Sequence, residues 1–588
     1  MRVLRCVQKM ETRQRMRGKF VTALHYVVQT TTVDLLLVLA LVGLLYGVVS
    51  FAQQWLFKYR PVAELEFTLW ALLRYTLFSL MRGLLAYGLS LLFTLLVGYW
   101  AAKDRWAEMV LIPLLDILQS IPVLSFLPGL ILGLSAAFPE SNVGLELAAV
   151  LMIFTGQVWN MTFSYYYSLK CLPNDLQEAA TAFRMGWWAR YRYVELPFAT
   201  LGLVWNSMMS MAGGWFFLMI NESYRLGEKD FRLPGLGSCM SVAVERADFT
   251  AMSWAMLAMA LMIVGLDQLI WRPIMVWAQK YRVQEGGSSL RVSSWFLEWL
   301  RHSRLLRTLM WSVRRLWSWR VDKCRSVLVS VGFSKAFKRS VWALSRLALV
   351  GLVSLFAYTA WHLGMLIADI SWDTWLFLLS AAVLTLGRVL ATVVLATLWT
   401  LPAGLAIGLS RRLVSWLQPL VQLAASFPAP MLFPLVLALF RWAGVSLEWG
   451  SILLMLLGSQ WYILFNVIAG ALAIPENLSE VARSYRMGLW TRFRLVYWPA
   501  ILPYLVTGWV TAAGGAWNTS IVAEYVTFRG EVLAATGLGA EISSSAEQAQ
   551  FARLAASVVL MASVVVLWNR FLWRRLARLA ESKYSLSQ

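Results

Sequence analysis

Charge is what this 588-residue sequence has least of: 14% of residues are Asp, Glu, Lys or Arg, 59% are hydrophobic, and the mean hydropathy is +0.63. That balance excludes a soluble globular chain and implies an all-α polytopic membrane protein. Cysteine is scarce as well. Cys6, Cys171, Cys239 and Cys324 are scattered without a CxxC pair, so neither a disulfide framework nor a zinc site follows. His25, His302 and His362 lie far apart and read as interfacial or packed residues. No paired acids, metal-ligand cluster or nucleophile with a base stands out in the apolar runs, so the chain does not read as an enzyme. A G-x-x-x-x-G-K-[ST] sequence is missing too, which leaves nucleotide phosphates without a cradle here. The net charge is +21, but the basic residues gather beside apolar runs, as the positive-inside tendency predicts, rather than on a nucleic-acid-binding face.

What is present is a plan that occurs twice. Residues 1–32 are basic, with Arg2, Arg5, Lys9, Arg13, Arg15, Arg17 and Lys19 against Glu11, and are expected in the cytoplasm. Residues 33–272 are expected to hold six spans, the first (33–52) retained and serving as its own targeting signal. An amphipathic lead-in over 67–82 is expected before the second span at 83–102. The third span, near 110–134, contains Pro113, Pro122 and Pro128 and reads as a kinked helix lining a pathway. Residues 273–341 form a cytoplasmic linker with 14 Lys or Arg and three acids. Two readings of it stand, a basic amphipathic helix on anionic lipid headgroups and a solvated positive-inside connection. Six more spans are expected in 342–575, then a cytoplasmic tail at 576–588. Pro419, Pro428 and Pro434 repeat the first proline set at an offset of 306, shared by Arg82 with Arg388. Glu222 with Glu524, and the run Gly235-Leu236-Gly237 with Gly537-Leu538-Gly539, follow at 302. Six spans per half put both halves in one orientation, as parallel repeats with the solute path between them.

The strongest duplication is a polar island. Residues 173–197, PNDLQEAATAFRMGWWARYRYVELP, and 475–499, PENLSEVARSYRMGLWTRFRLVYWP, share 12 of 25 positions without a gap. Asp175 with Glu178, and Asn477 with Glu480, fit a capping box and predict a short helix from that point. Ala179, Ala180, Ala182, Ala482 and Ser484 are small enough for close approach by a partner. Gly186 and Gly488 are expected to end the helix in the left-handed conformation. Arg190, Arg192, Arg492 and Arg494 flank the return to Pro197 and Pro499.

This island resembles the EAA loop of ABC-importer permeases, through Glu178-Ala179-Ala180, Gly186 and Leu196-Pro197. The second copy departs at Val481 and Trp498. The proline-rich third span, Arg82, Arg388, Glu222, Glu524, the GLG runs and Asp267 resemble the nitrate, sulfonate and taurine branch, with Asn569 in place of the second acid. The resemblance implies a type I importer-like fold of two fused six-helix repeats in the inner membrane, with both termini cytoplasmic. It further implies that Glu178, Ala179, Ala180, Gly186, Arg190, Glu480, Val481, Ala482, Gly488 and Arg492 couple the chain to two separate ATPase subunits. ATP and Mg would be held on those subunits, no cofactor on this chain, and an extracytoplasmic binding protein would deliver the solute.

For the solute path the sequence offers Arg82, Asn160, Trp215, Arg388, Trp517 and Asn518. Placing an arginine at mid-membrane costs about 2.5–3.5 kcal/mol, which favours an anion-binding reason for it, although snorkelling at a span end explains Arg82 and Arg388 more readily. Sulfonate, nitrate, a bicarbonate-like anion and a small heterocycle all remain open as solutes. The rival reading is a secondary transporter of two six-span halves, which explains the topology but not a polar island after each fourth span.

Overall fold

The computed structural model describes residues 33–43, 45–55, 65–226, 229–281, 294–303, 305, 306, 308, 311, 312, 335–474, 476–528 and 531–584. The basic N-terminus and most of the linker lie outside these residues. Among the described residues ten helices are long and apolar enough to cross a membrane, or up to 12 when each of two sharply bent helix pairs is taken as one span. The described residues fall into two compact units. One lies within Met1–Gln53, Ser168–Trp205 and Gly265–Arg339, the other within Gln54–Tyr167, Asn206–Val264 and Ser340–Gln588.

Helices follow from long runs of Leu, Ala, Val and Met, in which the backbone satisfies its own hydrogen bonds. The expected lead-in over 67–82 is instead part of the membrane helix. Leu69–Lys103 runs as one span, with a π turn at Thr94–Gly98, because Arg82, the polar residue that suggested an interface, is wholly buried. The same holds for the repeat, where helix Trp372–Gly408 starts well before Arg388.

The proline-rich third span is more than kinked. Helix 105–119 meets helix 123–137 at 91°, and helix 412–426 meets helix 429–443 at 84°. Pro122 and Pro428 stand at the breaks with extended ψ values of 120° and 117°. A proline lacks the N–H that would carry the helix through, and the residue before it is pushed out of the helical region.

Among the described residues the regular structure is helical apart from two antiparallel hairpins, Ser223–Leu226 with Lys229–Arg232 and Tyr525–Phe528 with Glu531–Ala534. Each precedes a short helix, Leu236–Glu245 or Leu538–Glu547. Helices Trp372–Gly408, Leu447–Leu472 and Trp498–Ala523 form the core of the second repeat. Small residues let them approach: a Cβ on Gly404 would stand 2.7 Å from Val467, and one on Gly508 3.1 Å from Ile463. Helix Lys335–Ile367, the first span of the second half, docks on the first repeat. Ser345 donates to Asp104 at 2.7 Å and accepts from Trp100 at 3.0 Å, Arg346 lies over the Trp106 ring, and Leu349 packs with Ala101, Ala107 and Leu111.

Candidate functional site: two islands, two ion-pair clusters and two cavities

Each island is a short helix, a tight turn and a second helix. The first helix spans Asn174–Ala182 in one copy and Glu476–Ser484 in the other. Asp175 and Asn477 are therefore inside the helices and not their caps. In the first copy the Pro173 carbonyl starts the helix, accepting from Leu176 and Gln177 at 3.2 Å each, while Gln177 Nε2 donates back to the Leu172 carbonyl at 2.9 Å. The predicted glycine caps also shift. Arg184 and Arg486, not the glycines, take the left-handed conformation, each at φ 48°. Met185 donates to the Ala180 carbonyl and Met487 to the Ala482 carbonyl, the long-range bond of a Schellman cap. Gly186 and Gly488 are extended and open the next helix, with ψ of 161° and 160°.

Glu178, Ala179 and Gly186 are exposed, as are Glu480, Val481 and Gly488. Ala180 and Ala482 are buried in their own units, so their small size serves internal packing. Arg190 is braced by Glu195 at 2.9 Å and Gln177 at 3.5 Å. Among the described residues Arg492 reaches the Met487 carbonyl at 3.4 Å, and the sequence has Tyr497 and Ser479 at the positions of Glu195 and Gln177.

Arg82 and Arg388 are neither snorkelling nor facing a cavity. Arg82 Nε and Nη2 hold the two oxygens of Glu146 at 2.6 and 2.7 Å, and Nη1 reaches Glu222 at 2.7 Å and the Pro234 carbonyl at 3.0 Å. Two carboxylates against one guanidinium leave a negative charge, which Ser79 and the start of helix 236–245 offset. Ser79 donates to Glu222 at 2.6 Å, and the Gly237 N–H donates to it at 2.7 Å. The GLG run thus has a steric cause: a Cβ on Gly235 would lie 2.3 Å from the Glu222 carboxylate.

The second repeat rebuilds this cluster from Arg388, Glu448, Glu524, Thr385 and the Gly539 N–H, which meets Glu524 at 2.9 Å. It is looser, since the Glu448 side chain is 45% exposed and its carboxylate is held through one guanidinium nitrogen, the other contact, from Nε, going to the Glu448 carbonyl at 3.2 Å. Neither Glu146 nor Glu448 is among the residues singled out from the sequence, although their 302 offset marks them as a pair. Cys239, on helix 236–245, has its thiol pushed up to about 11 by burial and by Glu222, which leaves it unreactive. Among the described residues no three His, Cys, Asp or Glu are grouped to hold a metal ion.

Two cavities of about 300 Å³ each are built from residues of both repeats within the larger unit. The first is aromatic and carries no charged side chain. Asn160, Trp517 and Asn518 line it, joined by Trp159, Trp461 and Tyr462. Trp215 lines neither cavity; its ring fills the space beside Gly83, where a Cβ would stand 2.8 Å away. The second cavity holds Tyr224, Tyr525, Glu245 and Glu547.

The bent spans separate the two. The wall passes from the first cavity to the second between Val123 and Leu124, between Ala429 and Pro430, between Phe217 and Met219, and between Thr519 and Ile521. At this neck the Val123 N–H, freed by the break after Pro122, donates to Asn518 Oδ1 at 2.7 Å.

Comparison with known proteins agrees with the duplication. The pattern of the family described as binding-protein-dependent transport system inner membrane component matches residues 94–269 and again 400–578, more than half of the chain. The chain is similar to the bicarbonate transport system permease protein CmpB of Synechococcus elongatus, 29% identical over 187 residues, 32% of this chain and 64% of that relative. It is also similar to the nitrate import permease protein NrtB of Leptolyngbya laminosa, 29% identical over 143 residues, 24% of this chain and 50% of that relative. The taurine transport system permease protein TauC of Escherichia coli is 26% identical over 275 residues, 46% of this chain and 92% of that relative. With the family matched once in each repeat, this chain belongs to the binding-protein-dependent transport system inner membrane components, as a duplicated ABC-importer permease.

Proposed function

We propose that this chain is the complete permease pair of an ATP-driven importer, carrying a small oxyanion-bearing solute across a bacterial-type inner membrane. The observation that carries the reading is the pair of islands, alike in sequence and in their Arg184 and Arg486 turns, one per family repeat. Two separate ATPase subunits dock on Glu178, Ala179, Gly186 and Arg190 in one island and on Glu480, Val481, Gly488 and Arg492 in the other. An external binding protein delivers the solute to the opposite face. Because the chain has no phosphate-binding loop, the nucleotide and its Mg belong to those partners.

Closure of the ATPase pair draws the two islands together and rocks one repeat against the other, and the two cavities open to one another at the neck. Asn160, Trp517 and Asn518 are the path residues of this reading. Arg82 and Arg388 are assigned to holding the hairpins and short helices, since both guanidinium groups are spent on buried carboxylates.

Purification and reconstitution test the proposal. ATPase subunits are expected to copurify with the chain. The double variant Glu178→Arg, Glu480→Arg is expected to insert normally but to lose transport-coupled ATP hydrolysis in proteoliposomes. Wild-type coupling in that variant would overturn the assignment.

A further inference from the structure

The two repeats differ at one place in the second cavity. In the first repeat Arg232 grips the Glu245 carboxylate with both contacts at 2.9 Å. Glu547 is the matching acid at the 302 offset, but Ala534 stands where its arginine would be. The hairpin registers agree, with Ser223 opposite Arg232 and Tyr525 opposite Ala534, so the position is the same and only the cation is gone. No Lys or Arg pairs with Glu547 among the described residues. Its described partner is the Tyr525 hydroxyl, which donates to Oε2. The half-buried ring of Tyr224 lines the same wall. Burial and the Glu547 carboxylate both push the Tyr224 hydroxyl upward, and the hydrogen bond to Glu547 adds to burial in raising Tyr525. Both phenols therefore stay neutral, and among the described residues lining the cavity Glu547 is the net charge once Glu245 is cancelled by Arg232.

A carboxylate without its cation, flanked by two tyrosine rings at the wall of a cavity of about 300 Å³, matches the chemistry that holds an ammonium group. It also opposes a simple anion such as nitrate, which would meet net negative charge there. We propose that the second cavity binds the protonated amine of the solute through Glu547, Tyr224 and Tyr525. Resting on the importer reading above, this narrows the solute from oxyanions in general to zwitterions that carry both an amine and an oxyanion.

The test uses the full chain in lipid nanodiscs and calorimetric titration with taurine and with ethanesulfonate, which keeps the sulfonate and lacks the amine. Taurine is expected to bind about tenfold or more tightly than ethanesulfonate. Glu547→Gln and, separately, Ala534→Arg, which restores the arginine of the first repeat at an exposed strand position, are each expected to bring the ratio to about one. Equal binding of the two probes by the unaltered protein, absence of binding by both, or a preference that survives both charge-cancelling variants would overturn the proposal. ATPase copurification is scored separately, so loss of amine preference with intact ATP coupling strikes this assignment alone.

Discussion

Arg82 grips Glu146 with two nitrogens, Nε to Oε2 at 2.6 Å and Nη2 to Oε1 at 2.7 Å, and neither side chain is more than 1% exposed. Arg388 holds the Glu448 carboxylate with one nitrogen, Nη2, while Nε donates to the Glu448 carbonyl at 3.2 Å, and that side chain is 45% exposed. Removing one partner of a buried pair strands the other charge, whereas an exposed partner is replaced by water. Glu146→Gln is therefore expected to cost about 3 kcal/mol or more, and Glu448→Gln about 1 kcal/mol or less. Thermal unfolding in detergent compares them, and equal losses would refute the asymmetry.

The GLG runs yield a steric prediction. Gly235→Ala and Gly537→Ala each push a methyl group to 2.3 Å from a buried carboxylate and are expected to destabilise by about 1–3 kcal/mol. Gly265→Ala meets nothing within 4 Å and, as a helical glycine, is expected to be neutral or slightly stabilising. Unfolding midpoints of the three variants would show the order, and a Gly265 loss matching the other two would contradict it.

Asn518 ties the neck between the cavities, accepting from the Val123 N–H at 2.7 Å and donating to the Gly514 carbonyl at 3.1 Å. Asn518→Ala leaves the Val123 N–H without that acceptor and is expected to loosen the neck. In a background with Cys6, Cys171 and Cys324 each changed to Ser, Thr511→Cys, on the wall of the aromatic cavity, is expected to react severalfold faster with a polar thiol reagent when Asn518 is Ala. An unchanged rate would remove Asn518 from the neck.

The islands differ in their internal bracing. Among the described residues Arg190 has Glu195 and Gln177, while Arg492 has the Met487 carbonyl. Hydrogen exchange over 174–195 is expected to quicken on Arg190→Ala by more than exchange over 476–497 does on Arg492→Ala. The reverse order would show that the bracing carries no weight.

The repeat itself made much of this site legible. Arg82 with Arg388, Glu222 with Glu524 and the two GLG runs can be paired from their offsets alone, because a duplicated motif keeps its spacing. Their purpose was not legible. An arginine near the end of an apolar run looks the same in sequence whether it reaches for headgroups or for two carboxylates 64 and 140 residues away. The glycine of each island was misread for a related reason. Glycine is the usual left-handed residue, yet here the helix ends two residues earlier, and Arg184 and Arg486 bear the turn.

The sequence by itself determined that the chain is helical, membrane-embedded and duplicated, since low charge, long apolar runs and a fixed offset are properties of local composition and order. Only the tertiary structure decided that the prolines break each third span by 91° and 84°, that Glu146 and Glu448 complete the ion-pair clusters, and that Glu547 faces a cavity without the arginine its twin possesses. These are relations between residues far apart in the chain. Burial and charge pairing fix them when helices pack, and no local pattern carries that information.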